Sequence, residues 1–370
     1  MTRVKVPPSL LIIAHGIDGG IAPLASTLAY GMQEQGWCCT VRYVGRPAPS
    51  KFVPADQLRE IDSQAITTGK ARSLVEMWGL IRSILPVWRV VQKSRPTAII
   101  FAGFIPALLY PPILRLFTSA QFIMWDHAPQ NTFLKIKRLA FPLALKCMDR
   151  IVCISHSTAS AMTEYFGIPP DEITIIPNSV DPTRWQALPP APDFSTLRII
   201  MPARLDLNQK DQITLIKAAA KLHRQGVALE VTMVGSGIDE GRVREAIEAE
   251  EASDYVRLVA HSDDVPSLVA HHNVLCLSSK FEGLGLVLVE AMLARRVAIA
   301  SRVSGCVDVI IDGINGFLFS AGSVDDCARV LRALRYEPEI PQIIEVAYHG
   351  AVVHYAPHAM IEGFKRVLLE

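Results

Sequence analysis

The chain has 370 residues, half of them apolar, and a net charge of +1. That length exceeds what a single core normally serves, so two domains are expected, with ample apolar material for both. The near-neutral total argues against a nucleic-acid binder, but charge is unevenly placed: residues 1–180 hold about 18 Lys/Arg against about 11 Asp/Glu, near +7, and residues 181–370 sit near −6.

Seven cysteines are scattered at 38, 39, 147, 153, 276, 306 and 327, none in a C-x-x-C pair. Neither a metal site nor a disulfide framework is implied, and a reducing compartment fits, so a cytoplasmic location is expected. The first apolar run, Ser9–Ala14, follows Arg3 and Lys5 and ends in a glycine-rich turn. It is too short for a signal peptide and reads as a first strand. Its turn carries Gly19 and Gly20, ahead of a helix over Pro23–Gln35. Glycines there let backbone approach a phosphate or sugar, though an ordinary strand-to-helix turn looks the same. The turn is not the G-x-G-x-x-G fingerprint, which speaks against a nicotinamide oxidoreductase.

A strand over Cys39–Val44 and a helix over Leu74–Gln92 follow. Thr97–Leu114 carries no charge and approaches the length of a membrane span. Pro106, Pro111 and Pro112 argue against a spanning helix, and the segment divides into a strand, Ala98–Phe101, a Gly-Phe turn and a helix. An apolar surface near a membrane or a lipid-linked acceptor is the expectation here. Further strands fall at Phe122–Trp125, Arg150–Ile154 and Ile173–Ile176, with a helix at Leu139–Met148. Asp126 and His127 end the first of these strands, Phe122–Trp125, where polar groups meet ligands in open α/β sheets. His127 would position a substrate or move a proton; Asp126 would orient it or act as a base. The pair would equally serve as a helix cap.

Pro177–Pro192 reads as a linker. A second series then begins: Arg198–Met201, a helix over Asp211–Gln225, strands at Glu230–Val234, Val256–Val259, Val274–Leu277 and Val297–Ala300, and two final helices around Val324–Leu334 and Met360–Leu369. Strand–helix alternation in both halves predicts an α/β protein with two Rossmann-like doubly wound sheets and a cleft between them. The expected domains are 1–180 and 181–350, with 351–370 packing back on the first.

Candidate residues follow the strands of the second half. Arg204 and Lys210 can clamp a diphosphate, one as a planar fork and the other as a point charge. Gly235 and Gly237 follow Glu230–Val234, and His261 follows Val256–Val259; alone, His261 reads as a surface histidine. After Val274–Leu277 comes FEGLGLVLVE, residues 281–290: Glu282, then Gly283, Leu284, Gly285 and Leu286, then Glu290. A helix start leaves amides unpaired and suits an anion. If helical throughout, the two carboxylates stand about 12 Å apart, too far for a retaining glycosidase pair.

This segment resembles the E-x7-E motif of glycosyltransferase family 4, retaining enzymes of the GT-B fold, and the likeness continues through EAMLARRVAIASRVSGCVDVIIDGINGFLF. The resemblance implies a hexose donor linked to UDP or GDP and a glycan or polyprenyl-diphosphate-linked acceptor in surface polysaccharide or lipopolysaccharide biosynthesis. It implies Gly19 and Gly20 over the donor phosphates, Arg204 and Lys210 on the diphosphate, and Gly235 and Gly237 lining the nucleotide side. His261 would mark the base loop, Glu290 the ribose hydroxyls, and Glu282 the hexose and the positive charge developing at its anomeric carbon. His127 would lie near the sugar. No obligatory metal is expected, and no D-x-D stands at a strand end. Peripheral association with the inner face of an anionic membrane is expected from the basic first half. The alternative is a nucleotide-sugar-binding protein that keeps the fold without transfer. Four positions depart from the family pattern: Arg295 where Gly is common, Val297 where Pro is, Ser304 in place of the first of two glycines, and Asp308 for Glu. A fifth is Asp211, where a glycine commonly follows the lysine.

Overall fold

The computed structural model describes residues 7–15, 21–45, 64–67, 82–127, 141–186 and 188–370. Two compact units emerge: Met1–Ser179 together with Pro357–Glu370, and Val180–Ala356.

The first unit is built on seven strands: β1 (Ser9–His15), β2 (Cys38–Gly45), β3 (Gln64–Thr67), β4 (Ala98–Ala102), β5 (Gln121–Asp126), β6 (Arg150–Cys153) and β7 (Ile173–Ile175). All pair in parallel, in the order β3-β2-β1-β4-β5-β6-β7. A parallel sheet covered on both faces needs strands that are apolar throughout. β4 is AIIFA with every residue buried, and Ile12, Ile13, Phe122 and Trp125 are likewise fully buried in β1 and β5. Burying each such side chain contributes about 1.5–3 kcal/mol. The helix Pro357–Leu369 closes this core: Phe364 meets Trp125 edge-on at 4.8 Å between ring centres. It crosses the helix Ile21–Glu34 at Gly31, where a Cβ would stand 2.1 Å from Ile361 Cδ1. Any larger residue there would force the Ile361 side chain to move.

The charge-free stretch Thr97–Leu114 resolves into β4, Gly103 at φ 95° and the short helices Phe104–Leu109 and Pro111–Leu114. Its Phe104, Ala107, Tyr110 and Leu114 belong to the buried core. The segment is apolar because it is interior, which corrects the expectation that it offers an apolar surface. No helix among the described residues is long and apolar enough to cross a membrane.

The second unit has six parallel strands: β8 (Leu197–Pro202), β9 (Leu229–Val234), β10 (Val256–Val259), β11 (Val274–Leu277), β12 (Val297–Ser301) and β13 (Phe317–Phe319). Their order is β10-β9-β8-β11-β12-β13. The order reverses between β8 and β11, so the loops leaving these two neighbours diverge to opposite faces of the sheet and leave a crevice at their carboxyl ends.

Several elements escaped the sequence reading, among them the helices His156–Phe166 and Glu240–Ala249, two short strands and one long helix. β3 and β13 have four and three residues, too few to show a period. Between the two expected C-terminal helices stands a third, Ile340–Tyr355. Its β-branched residues and Gly350 weaken helical propensity. Packing against the helix Leu286–Leu293 supplies what propensity lacks. Of the expected helix Leu74–Gln92, residues 74–81 lie outside the described residues, and a helix runs over Ile84–Ser94.

Candidate functional site

The strand-end loops of the second unit are knitted together backbone to backbone. After β8, Ala203 N–H donates to the Val234 carbonyl at 2.9 Å and Leu205 N–H to the Ser236 carbonyl at 3.0 Å. A Cβ on Gly235 would stand 2.1 Å from the Ala203 oxygen, and one on Gly237 2.1 Å from the Leu205 oxygen. Both glycines are therefore required to seat the loop that carries Arg204. Asp206 then turns the chain: its carboxylate accepts from the Asn208 and Gln209 amides, and its carbonyl accepts from Lys210 N–H at 2.7 Å.

The turn separates the two expected cations. Arg204 stays exposed, donating to Gln209 Oε1 at 2.9 Å and facing Asp206 at 3.3 Å. Lys210 turns inward. Its Nζ stands 2.5 Å from Glu282 Oε1, across the switch point between β8 and β11. Ser279 Oγ donates to the same carboxylate oxygen at 2.5 Å. Side-chain exposure is 16% for Lys210 and 7% for Glu282, so the pair is largely removed from water.

Glu282 is fixed from below. Its amide donates to the Ser304 carbonyl at 3.2 Å, and Gly305, at φ 78°, lies so close that a Cβ would sit 2.7 Å from the Glu282 oxygen. Asp308 accepts from Gly305 N–H at 3.2 Å. Of the expected Gly-Gly pair only the second position needs glycine, and Ser304 contributes its carbonyl, which any residue supplies. Lys280, absent from the candidates, staples the two loops by donating to the Leu207 carbonyl at 3.0 Å. Ser278 does the same toward the Asp211 carbonyl at 2.9 Å.

Glu282 and Glu290 do not share a helix. The helix begins at Leu286, after Gly285 in the left-handed region at φ 61°. The spacing argument from continuous helical rise does not apply, because Glu282–Gly285 is a turn. Leu284, in that turn, is buried, and Leu286, the first helical residue, is half-buried. Glu290 is half-buried, and desolvation pushes its carboxyl up to about 7, against the pull of the Arg184 charge. The His261 side chain is exposed, 3.3 Å from Asp263.

Two departures from the family pattern now have a backbone meaning. Asp211 sits at φ 48° and Arg295 at φ 55°, both left-handed. Glycine adopts that region without cost, and other residues pay about 1 kcal/mol. Asp211 is compensated by accepting from Thr214 Oγ1 at 2.7 Å. Arg295 pairs with Glu345 and lies 3.9 Å over the Tyr348 ring.

In the first unit, Gly19 and Gly20 lie outside the described residues. Asp126 and His127 close β5, with Asp126 buried and paired in register with Cys153. The His127 ring is tilted at 47° to that of Trp125, with centres 4.6 Å apart, and its Nδ1 lies 3.2 Å from Asn178 Nδ2. Burial drives the imidazole down to about 3, so the ring is neutral at physiological pH. That favours positioning over proton transfer. An amide donating to Nδ1 leaves the ring proton on Nε2, a buried atom with no partner among the described residues. Asn178 had been assigned to a linker, yet it is buried. Only the fold reveals its partner. Among the described residues no group of three His, Cys, Asp or Glu side chains is arranged to hold a metal ion.

Comparison with known proteins agrees with this architecture. Residues 18–184 match the model of Glycosyltransferase Family 4, and residues 194–347 that of Glycosyl transferases group 1. A Bacillus subtilis protein named "Putative glycosyltransferase EpsD" is 35% identical over 142 residues, 38% of this chain and 37% of that protein. A glycogen synthase of Mycobacterium tuberculosis is 27% identical over 202 residues, 52% of this chain and 47% of the relative. The chain thus spans less than half the length of these two curated relatives. Among solved structures, HepE of Anabaena in complex with UDP and glucose superposes with a TM-score of 0.80 at 17% identity, covering 98% of this chain and 99% of that one. The lipopolysaccharide outer core galactosyltransferase WaaB does so at 0.79 and 18%, with 98% and 99% covered. Likeness at these identities concerns the fold. The two family models and the paired doubly wound sheets together place the chain in glycosyltransferase family 4, with the GT-B fold.

Proposed function

We propose that this chain is a retaining glycosyltransferase that moves a hexose from a UDP- or GDP-linked donor to a glycan or polyprenyl-diphosphate-linked acceptor in surface polysaccharide biosynthesis. The observation that carries the reading is the Lys210–Glu282 pair at the switch point of the second sheet. A leaving diphosphate carries the charge that develops in the transition state, and a pre-placed ammonium stabilises it most where water is excluded. Lys210 exchanges its carboxylate partner for phosphate oxygen, and the exposed Arg204 swings in as a second donor. Glu282, freed but still held by Ser279, faces the sugar, where a carboxylate steadies positive charge at the anomeric carbon. Glu290 accepts two ribose hydroxyls, which replace the water it has lost. Neutral His127 positions the sugar or acceptor through Nε2–H.

HepE was solved with UDP and glucose, which supports a nucleotide-linked donor. WaaB and the glycogen synthase are named for building polysaccharide, which supports a glycan product. Membrane association is supported by the basic first half of the sequence alone, and binding to anionic vesicles should weaken as salt rises.

Thermal-shift titration with UDP, GDP and NAD, followed by donor turnover without acceptor, tests the reading. Stabilisation by UDP or GDP together with slow hydrolysis of the matching nucleotide-sugar is expected. Binding without any hydrolysis or transfer supports the non-catalytic alternative, and preference for NAD refutes both.

A further inference from the structure

The helix Ile84–Ser94 buries Val87 and Val91 and turns its opposite face outward. That outer face follows helical spacing: Arg82 just before the helix, then Leu85, Arg89 and Lys93, all exposed. Trp88 flanks them, half-buried, and its ring meets Phe117 edge-on at 6.0 Å between centres. Gln92 Nε2 donates to the Phe117 carbonyl at 3.3 Å, so the helix and the turn before β5 share one surface. Leu116 is 78% exposed and Phe117 52% on that turn, and Leu85 is 51% exposed on the helix. Leu116 and Phe117 follow closely on the interior segment that ends at Leu114, and unlike it they face water.

The charge around this apolar patch has one sign. Residues 82–125 carry Arg82, Arg89, Lys93, Arg95 and Arg115 and no carboxylate. Asp149, the acid that meets the turn, is taken by Arg115 at 2.6 Å. Arg82, Arg89 and Lys93 enter no ion pair among the described residues. A second copy of the chain would set these same cations against each other across a two-fold axis, which disfavours self-association. An anionic bilayer surface satisfies both halves of the patch at once. Aliphatic and aromatic side chains enter the headgroup boundary, and the cations stay with the lipid phosphates. Long basic side chains reach past apolar neighbours to do so.

We propose that the outer face of Ile84–Ser94 and the turn 115–117 form a docking surface for anionic phospholipid, with Leu85, Leu116 and Phe117 entering the headgroup boundary and Arg89 and Lys93 holding lipid phosphates. This rests on the membrane association proposed above and is independent of the donor reading. Docking is peripheral: a helix of 11 residues with a charged face lies in the interface plane, and no described helix is long and apolar enough to cross.

Flotation of the full chain with phosphatidylcholine vesicles, with and without about one-third phosphatidylglycerol, tests this in wild type, Arg89→Gln/Lys93→Gln and Leu116→Ser/Phe117→Ser. Wild type should bind the anionic vesicles, less as salt rises, and the neutral ones at least about tenfold more weakly. Arg89→Gln/Lys93→Gln should weaken anionic binding by about fivefold per cation and flatten its salt dependence. Leu116→Ser/Phe117→Ser should weaken it by about tenfold with the salt dependence kept. Circular dichroism separates lost docking from lost folding. Arg89→Gln/Lys93→Gln alters exposed side chains and decides alone should Phe117→Ser disturb the contact with Trp88. Vesicle binding that both variants retain overturns this surface and leaves the membrane reading standing. Failure of the wild type to bind anionic vesicles overturns the membrane reading and this proposal with it. A wild-type dimer in sedimentation that Leu116→Ser/Phe117→Ser dissociates assigns the patch to a second copy and overturns the proposal as well.

Discussion

Lys210 Nζ and Glu282 Oε1 meet at 2.5 Å, although 72 residues separate them in the chain. They arrive from the loops after β8 and β11, adjacent parallel strands that pair Ile199 with Val274 and Ile200 with Leu275. The strand order reverses there, so the two loops border one crevice at the carboxyl ends of the strands, and the cation meets the carboxylate across it.

Lys210→Ala should lower turnover by two to three decades, about 2–4 kcal/mol of barrier, because in the proposed role the lost ammonium would face charge that develops in the transition state. Steady-state kinetics on a variant shown folded by circular dichroism checks this. Wild-type turnover in Lys210→Ala excludes the role.

Glu290 makes stability depend on pH. Its carboxyl is raised from the ordinary 4.5 to about 7 by burial. The folded chain therefore holds a proton that the unfolded chain has released between those values, and stability falls as pH rises through that window. Above it the penalty stays constant. Glu290→Gln should thus stabilise the protein at pH 8, on the order of 1–3 kcal/mol, and change little at pH 4. The same variant should bind nucleotide more weakly. Melting curves at the two pH values decide; an equal shift at both removes the desolvation argument.

Arg295 separates backbone from side-chain effects. At φ 55° any residue with a Cβ is strained, and the ion pair with Glu345 is exposed and worth little. Arg295→Gly should therefore be more stable than Arg295→Ala by about 1 kcal/mol, the reverse of their order in a helix interior. Urea titrations of the two variants measure the difference directly.

His127 should remain neutral from pH 8 down to pH 5, because burial holds it near 3. Nitrogen NMR of labelled imidazole should report a single tautomer protonated at Nε2. Asn178→Asp supplies a buried carboxylate beside Nδ1 and should bring the ring's titration up toward neutrality. An imidazole that titrates near 6.5 in the wild type contradicts the buried geometry.

Transfer should survive chelation if, as proposed, Lys210 and Arg204 meet the diphosphate. Complete loss in EDTA, restored by Mg²⁺, would overturn the metal-independent mechanism.

Chain order, strand polarity and most strand positions were legible in the sequence, because buried parallel strands such as AIIFA at 98–102 must be apolar throughout. The E-x7-E segment was legible for a related reason: a strand, a glycine turn and a helix succeed one another within a dozen residues, and Gly285 must supply a left-handed angle. Local sequence carries local geometry. What it does not carry is which distant groups share a space. Gly235 and Gly237 look like a ligand loop, yet their missing Cβ atoms make room for the carbonyls of Ala203 and Leu205. Asn178 looks like linker and is buried against His127. These assignments depend on long-range packing, whose contacts leave no period or spacing in the chain, and so the tertiary structure alone decided them.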